Sequence, residues 1–248
     1  MSTAKLYIGN SVLKNVHVNR AHILNVKKSG DEFKQEDFHA RHVIKSSPDV
    51  NFVQINASGW ALDDGIPDIF LDFVESSVGM SNIRKVYFEC RINTLRGDLS
   101  KNFRLLEKES HRKRAKSGFL ETLRLFSMFF PQTKIVYLGT SVLRSSIVEG
   151  RGFPPGCMDD ILKSRGKDVS WFLAQVLRLS RFVTSYGDDF VGVPFVYLNV
   201  FRGISSEDVY DAWGHLYHLS LGRFAGRFEE VLLARGKCNL LLAFGFDF

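Results

Sequence analysis

A serine, an asparagine and a histidine that together could carry out acyl transfer stand at separated points of this chain. Ser11 follows the apolar run Leu6-Tyr7-Ile8 in Gly9-Asn10-Ser11, and His218 lies in His215-Leu216-Tyr217-His218-Leu219-Ser220, which opens a helical pattern. Between them stand Gly30, in Lys28-Ser29-Gly30-Asp31, and Asn93, in Cys90-Arg91-Ile92-Asn93-Thr94. A serine hydroxyl is scarcely ionised near neutrality and needs an adjacent base before it can attack. The chemistry these residues suit is attack of Ser11 Oγ on an ester carbonyl, with His218 taking the hydroxyl proton. The N–H groups of Ser11 and Gly30 and the Asn93 carboxamide would then hold the oxyanion. Taken singly, each residue has an ordinary structural use: a turn for Gly-Asn-Ser or Gly30, a helix cap for Asn93.

Such residues must be brought together by the elements that carry them. Short β-branched and aromatic runs predict strands at Lys5–Ile8, Ala21–Val26, Val50–Ala57, Lys85–Arg91, Thr133–Leu138 and Val193–Val200. Helices are predicted at Ile66–Val78, with Pro67 in its first turn and Gly79 as its stop, and at Gly118–Phe130, ended by Pro131. Two more are predicted at Val169–Tyr186 and Ser220–Arg235. Strands alternating with helices imply an α/β class with a parallel sheet covered on both faces. In an open parallel sheet, ligands collect at the carboxyl ends of the strands. Ser11, Gly30 and Asn93 each sit just past a predicted strand, and His218 lies beyond the last one.

The chain has 248 residues, 45% of them apolar, and neither a repeat nor a linker divides it. A single domain over 1–248 is expected, with a charged insertion near 95–117 and an apolar tail over 239–248. Within the insertion Arg104, Lys108, His111, Arg112, Lys113, Arg114 and Lys116 are concentrated, a pattern that first suggests a solvated face and second a nucleic-acid contact. The net charge of +6 is too diffuse to establish an anionic partner. Cys90, Cys157 and Cys238 are widely spaced and suggest neither a disulfide framework nor a zinc site. His215-x-x-His218 has helical spacing, but the sequence offers no matching third ligand, so neither a metal nor another cofactor is expected. The N-terminus has no signal-peptide pattern and no apolar run approaches membrane-spanning length, so an intracellular, cytoplasmic protein is expected.

From Tyr7-Ile8-Gly9-Asn10-Ser11 to the segment His218-Leu219-Ser220-Leu221-Gly222-Arg223-Phe224, preceded by Gly192-Val193-Pro194-Phe195-Val196-Tyr197-Leu198, the chain resembles the SGNH hydrolase superfamily, or GDSL-type esterases. The resemblance implies a three-layer α/β/α sandwich, SGNH/flavodoxin-like, around a parallel sheet of about five strands. It places Ser11 on the nucleophile, Gly30 and Asn93 on the oxyanion positions and His218 on the base. Three positions depart from the family pattern. Asn10 replaces the first block's aspartate, which mainly shapes a turn. Arg91 replaces the third block's glycine and brings a cation that could bind an anionic substrate. His215 occupies the place of the triad aspartate, whose loss in serine hydrolases lowers turnover by about 10⁴. Asp211, Asp208 or a backbone carbonyl are the substitutes the sequence offers.

Two functions follow. One is a divergent serine ester hydrolase acting on a small acyl ester, its activity weakened or lost through the altered triad. The other is a catalytically inactive module of the same fold that binds nucleic acid or a protein partner through Arg104–Lys116. A third use, strand addition by the tail Asn239–Phe248, competes with simple packing of that tail on its own domain.

Overall fold

A computed structural model describes residues 3–9, 16–37, 42–46, 48–49, 51–61, 64–89, 109–131, 133–138, 163–164, 166–168, 171 and 195–198. In chain order the elements are β1 (Ala4–Gly9), β2 (Val16–Val18), β3 (His22–Ser29), β4 (Glu32–Gln35), β5 (His42–Ile44), β6 (Asn51–Ser58), α1 (Asp68–Ser77), β7 (Ile83–Phe88), α2 (Glu109–Phe129), β8 (Lys134–Leu138) and β9 (Phe195–Leu198). A seven-stranded sheet runs β4-β3-β6-β1-β7-β8-β9, and β2 and β5 form a separate two-stranded sheet. Every pairing in the large sheet is parallel except the β3–β4 hairpin.

The two faces of the sheet differ because side chains alternate along each strand. Leu6, Ile8, Val53, Ile55, Val86, Phe88, Ile135 and Tyr137 are buried on one face. There they join Phe70, Leu71 and Val74 of α1 and Phe119, Leu123 and Phe126 of α2, whose spacings of three and four residues align them on one helical side. Phe88 is the hub: its ring lies 4.9 Å from Tyr137, 5.2 Å from Phe126 and 6.2 Å from Phe119. Trp60 bridges this cluster to α1 through Phe70, 5.8 Å away, while its indole N–H donates to the Gly65 carbonyl at 2.9 Å.

The opposite face carries Tyr7, Phe52, Gln54, Asn56, Tyr87 and Val136, also buried. Gln54 fastens β2 to it: the Val18 N–H donates to Gln54 Oε1 at 2.9 Å, and Gln54 Nε2 donates to the Val16 carbonyl at 2.5 Å. Gln54 Nε2 also donates to Asn56 Oδ1 at 2.9 Å, and Asn56 Nδ2 donates to Asn25 Oδ1 at 2.7 Å. This carboxamide chain satisfies polar groups that burial would otherwise make costly.

All six strands expected from the sequence are present, and the α/β class holds. The sheet has seven strands rather than about five: the six predicted runs all join it, and β3 continues into an antiparallel edge strand that the charged sequence Glu-Phe-Lys-Gln does not announce. Helix α1 begins after Pro67, and at its end the Gly79 N–H donates to the carbonyls of Val74 and Glu75 with φ of +78°. Helix α2 starts at Glu109, inside the segment read as a charged insertion. Glu109 and Lys113, one turn apart, pair at 3.0 Å there. The predicted helices Val169–Tyr186 and Ser220–Arg235 and the tail 239–248 lie essentially outside the described residues. Among the described residues, no helix is long and apolar enough to cross a membrane.

Candidate active site

The parallel register fixes which strand ends meet at the carboxyl edge of the sheet. Gly9, last in β1, is paired with Asn56 of β6, and Ile8 is paired with Phe88, last in β7. The Glu89 N–H donates to the Ile8 carbonyl at 2.9 Å, which carries the β1–β7 ladder one residue past the end of β7. Ser11 is therefore two residues beyond the end of β1, and Asn93 five beyond the end of the neighbouring β7, both leaving the same edge. Ser11, Arg91, Asn93, Asp208, Asp211, His215 and His218 themselves lie outside the described residues, as does the part of Arg104–Lys116 that precedes α2.

At that edge, on the face opposite α1 and α2, one row crosses four strands: Asn25 of β3, Asn56 of β6, Gly9 of β1 and Glu89 after β7. Glu89 is 1% exposed and Asn56 is fully buried. Gly9 places no side chain between them. Tyr7, two residues before Gly9 on the same face, is also buried. Burial pushes its phenol well above the ordinary range, and the nearby charge of Glu89 adds to the rise.

Gly30 is the one sequence-selected site residue within the described part. It forms the exposed turn of the β3–β4 hairpin, with φ of +66°, and β6 separates β3 from β1. At a strand spacing of about 4.8 Å, β3 lies roughly 10 Å from β1. The structure gives Gly30 a turn-forming use and does not bring it beside Gly9.

Gly59 is the glycine that follows the strand adjoining β1. It stands just past Ser58 at the end of β6, with φ of +90°, and its α-carbon faces Lys28 so closely that a Cβ would lie 2.9 Å from Lys28 Cβ. Behind it, Lys28 forms an ion pair with Asp64, whose Oδ2 accepts the Ala61 N–H at 2.8 Å. The Lys28 ammonium also lies 5.9 Å from the centre of the Phe33 ring. Sequence reasoning passed over Gly59, yet a signal was there. Phe52-Val53-Gln54-Ile55-Asn56-Ala57 is buried without interruption, as a central parallel strand requires, whereas the strand before Gly30 buries only Leu24 and Val26 and ends in the polar run Lys27-Lys28-Ser29.

No protein-family model matches the sequence, and no curated protein matches it. Solved structures do match its fold. A carbohydrate esterase family 3 protein from Talaromyces cellulolyticus is similar with a TM-score of 0.52 and 12% identity, over 94% of this chain and 97% of that one. An acetyl esterase variant solved with acetate ion gives 0.53 and 11%, over 94% and 97%. A GDSL-like lipase from Parabacteroides merdae gives 0.52 and 10%, over 92% and 94%. At these identities the likeness is one of fold, and it extends over nearly the whole of each chain. The chain thus has the α/β fold of the SGNH, or GDSL-type, hydrolases.

Proposed function

We propose that this chain is a divergent serine ester hydrolase acting on a small acyl ester, with Ser11 as nucleophile, His218 as base and Asn93 as an oxyanion donor. The observation that carries this reading is the pairing of β1 with β7, which starts the segments holding Ser11 and Asn93 from adjacent points on the carboxyl edge. Gly59, at the end of the strand on the other side of β1, suits the second-block glycine better than Gly30, because its backbone stands next to β1 at the same edge. Ser11 Oγ attacks the carbonyl as His218 accepts its proton, the alcohol leaves with that proton, and water hydrolyses the acyl-enzyme by the same route. Its similarity in fold to esterases adds weight to this chemistry.

His215, standing where the family has an aspartate, favours a second reading: a module that keeps the fold and binds a partner through the basic Arg104–Lys116 segment without turnover. Hydrolysis of a short-chain aryl acetate by wild type, Ser11→Ala and His218→Ala separates the two. The hydrolase reading expects turnover that falls at least about 10³-fold in both variants while their circular dichroism spectra stay native. Equal rates in all three proteins would overturn it in favour of the binding module.

A further inference from the structure

We infer that Lys5, Lys85 and Lys134 together form an anion-binding row at the amino end of the sheet, suited to a diphosphate group. The row lies on described strands at the end of the sheet away from the candidate active site, and it stands or falls independently of the hydrolase reading.

Three observations carry it. The first is register: Lys5 of β1 is paired with Lys85 of β7, and Lys85 with Lys134 of β8, so the lysines follow one another across three adjacent strands. At a strand spacing of about 4.8 Å the row spans roughly 10 Å. All three side chains are partly exposed, within reach of an anion from solvent.

The second is a break in the alternation of β7 that brings Lys85 into line. Ala4 and Leu6 of β1, and Ile83 and Val86 of β7, belong to the core on the helix side of the sheet. One residue, Lys5, separates the first pair, whereas two, Arg84 and Lys85, separate the second, and the register shifts at that point. Strict alternation from Ile83 would turn Lys85 toward the helix side. The bulge instead sets it on the face that carries Tyr87, which is also the face of Lys5 and Tyr7 and of Lys134 and Val136.

The third is the state of the Lys5 amine. Its ammonium lies 5.5 Å from the centre of the Phe52 ring, on the strand that flanks β1 opposite β7. Burial, with the charge of Lys85 second, lowers it from 10.5 to about 8. A neighbouring anion acts the other way and favours the charged form. Among the described residues, the other charged groups at this end of the four strands are Arg84, whose Nη1 donates to the Ser81 carbonyl at 2.9 Å, and Asp49, exposed in the turn before β6.

A lysine ammonium is a compact charge with three donors and suits phosphate oxygens. One phosphate bridges two neighbouring strands, whereas a diphosphate carries charge on both of its phosphate groups and extends along all three. A carboxylate brings a single charge and leaves most of the repulsion within the row in place.

Isothermal titration calorimetry of the full chain with inorganic pyrophosphate, at neutral pH and fixed ionic strength, tests the site. The expected result is saturable binding that weakens at least about 10-fold in each of Lys5→Met, Lys85→Met and Lys134→Met. It should be unchanged in Lys27→Met, an exposed lysine of β3 paired with Glu36 at 3.5 Å. Inorganic phosphate should bind at least about 10-fold more weakly than pyrophosphate, and acetate more weakly still. Adenosine diphosphate held more tightly than pyrophosphate supports the site with a nucleotide as the source of the diphosphate; held more weakly, it supports the site with the free ion as the source.

No binding by wild type, or binding that the three row variants leave as strong as Lys27→Met does, overturns the inference. Phosphate equal to pyrophosphate overturns it as well, because the span of the row would then play no part. A measurement on wild type covers a variant that fails to fold. Nuclear magnetic resonance of the lysine ε-carbons follows the Lys5 signal, identified by its loss in Lys5→Arg, through a pH titration with and without saturating pyrophosphate. Its midpoint should rise by about one unit or more with the anion, and an unmoved midpoint overturns the site.

Discussion

Gly59 and Gly30 both have positive φ, at +90° and +66°, yet the structure makes opposite demands on them. At Gly59 a methyl group would sit 2.9 Å from Lys28 Cβ, an atom fixed to the β3 backbone, so strand or turn must move. At Gly30 a methyl group would point into open space, with no heavy atom beyond its chain neighbours within 4 Å. Gly30→Ala therefore carries only the conformational cost of a left-handed residue, about 1 kcal/mol, whereas Gly59→Ala adds overpacking and should cost about 2–4 kcal/mol. Urea denaturation of the two variants beside wild type checks the order and the gap. Both glycines follow strand-like runs, so spacing alone could not choose between them. The distinction lies in which strand adjoins β1, a property of the assembled sheet. Glu89 was hidden for a related reason: inside the predicted strand Lys85–Arg91 it reads as one polar residue near a strand end, and only the ladder to Ile8 shows that it is buried beside Gly9.

Among the elements, β2 depends most on a single side chain. Its three residues reach the large sheet through Gln54, which serves both the Val18 N–H and the Val16 carbonyl. Gln54→Leu preserves volume but leaves both of these groups buried without their partner, and should cost about 2–5 kcal/mol. Hydrogen exchange should accelerate at the Val18 amide far more than at Ile8 in β1; equal acceleration would mean that the whole sheet, and not β2, had been loosened. The long strands and α1 were legible because apolar runs, Pro67 and Gly79 mark them locally. Strands β2, β4 and β5 were not, since three or four residues leave no period to detect and their positions follow from long-range partners. The first turns of α2 were obscured by Lys and Arg, which are good helix formers but carry no apolar stripe until Phe119.

Across the molecule, the amino end of the sheet concentrates positive charge as the carboxyl edge concentrates candidate chemistry. Lys5 is in register with Lys85, and Lys85 with Lys134, on three adjacent strands, while the Lys5 ammonium lies 5.5 Å from the centre of the Phe52 ring. Burial, with the charge of Lys85 second, lowers Lys5 from 10.5 to about 8. Below pH 8 the folded protein carries this amine charged at a cost. Between about pH 8 and 10.5 the folded state releases a proton that the unfolded chain keeps, so stability rises with pH there. With screening of a half-buried amine, the gain is about 1–2 kcal/mol. Denaturation midpoints at pH 7.5 and 9.5 should diverge in wild type and converge in Lys5→Met; a parallel response in both would refute the assignment to Lys5. The sequence displayed the class of the fold because each layer repeats its own period. It did not display the order of the strands, and that order decides which side chains become neighbours.

Strand β6 holds both flanks of residues 10–15: Gly9 by its ladder pairing with Asn56, and β2 through the side chain of Gln54 two residues away. A slip of β1 by one position would part Gly9 from Asn56 and turn the buried face of β1 outward, so the ladder to β6 and the Gln54 tether together fix where the chain leaves the sheet after Gly9 and where it returns at Val16. One central strand thus sets both the departure and the return of the stretch that carries Ser11.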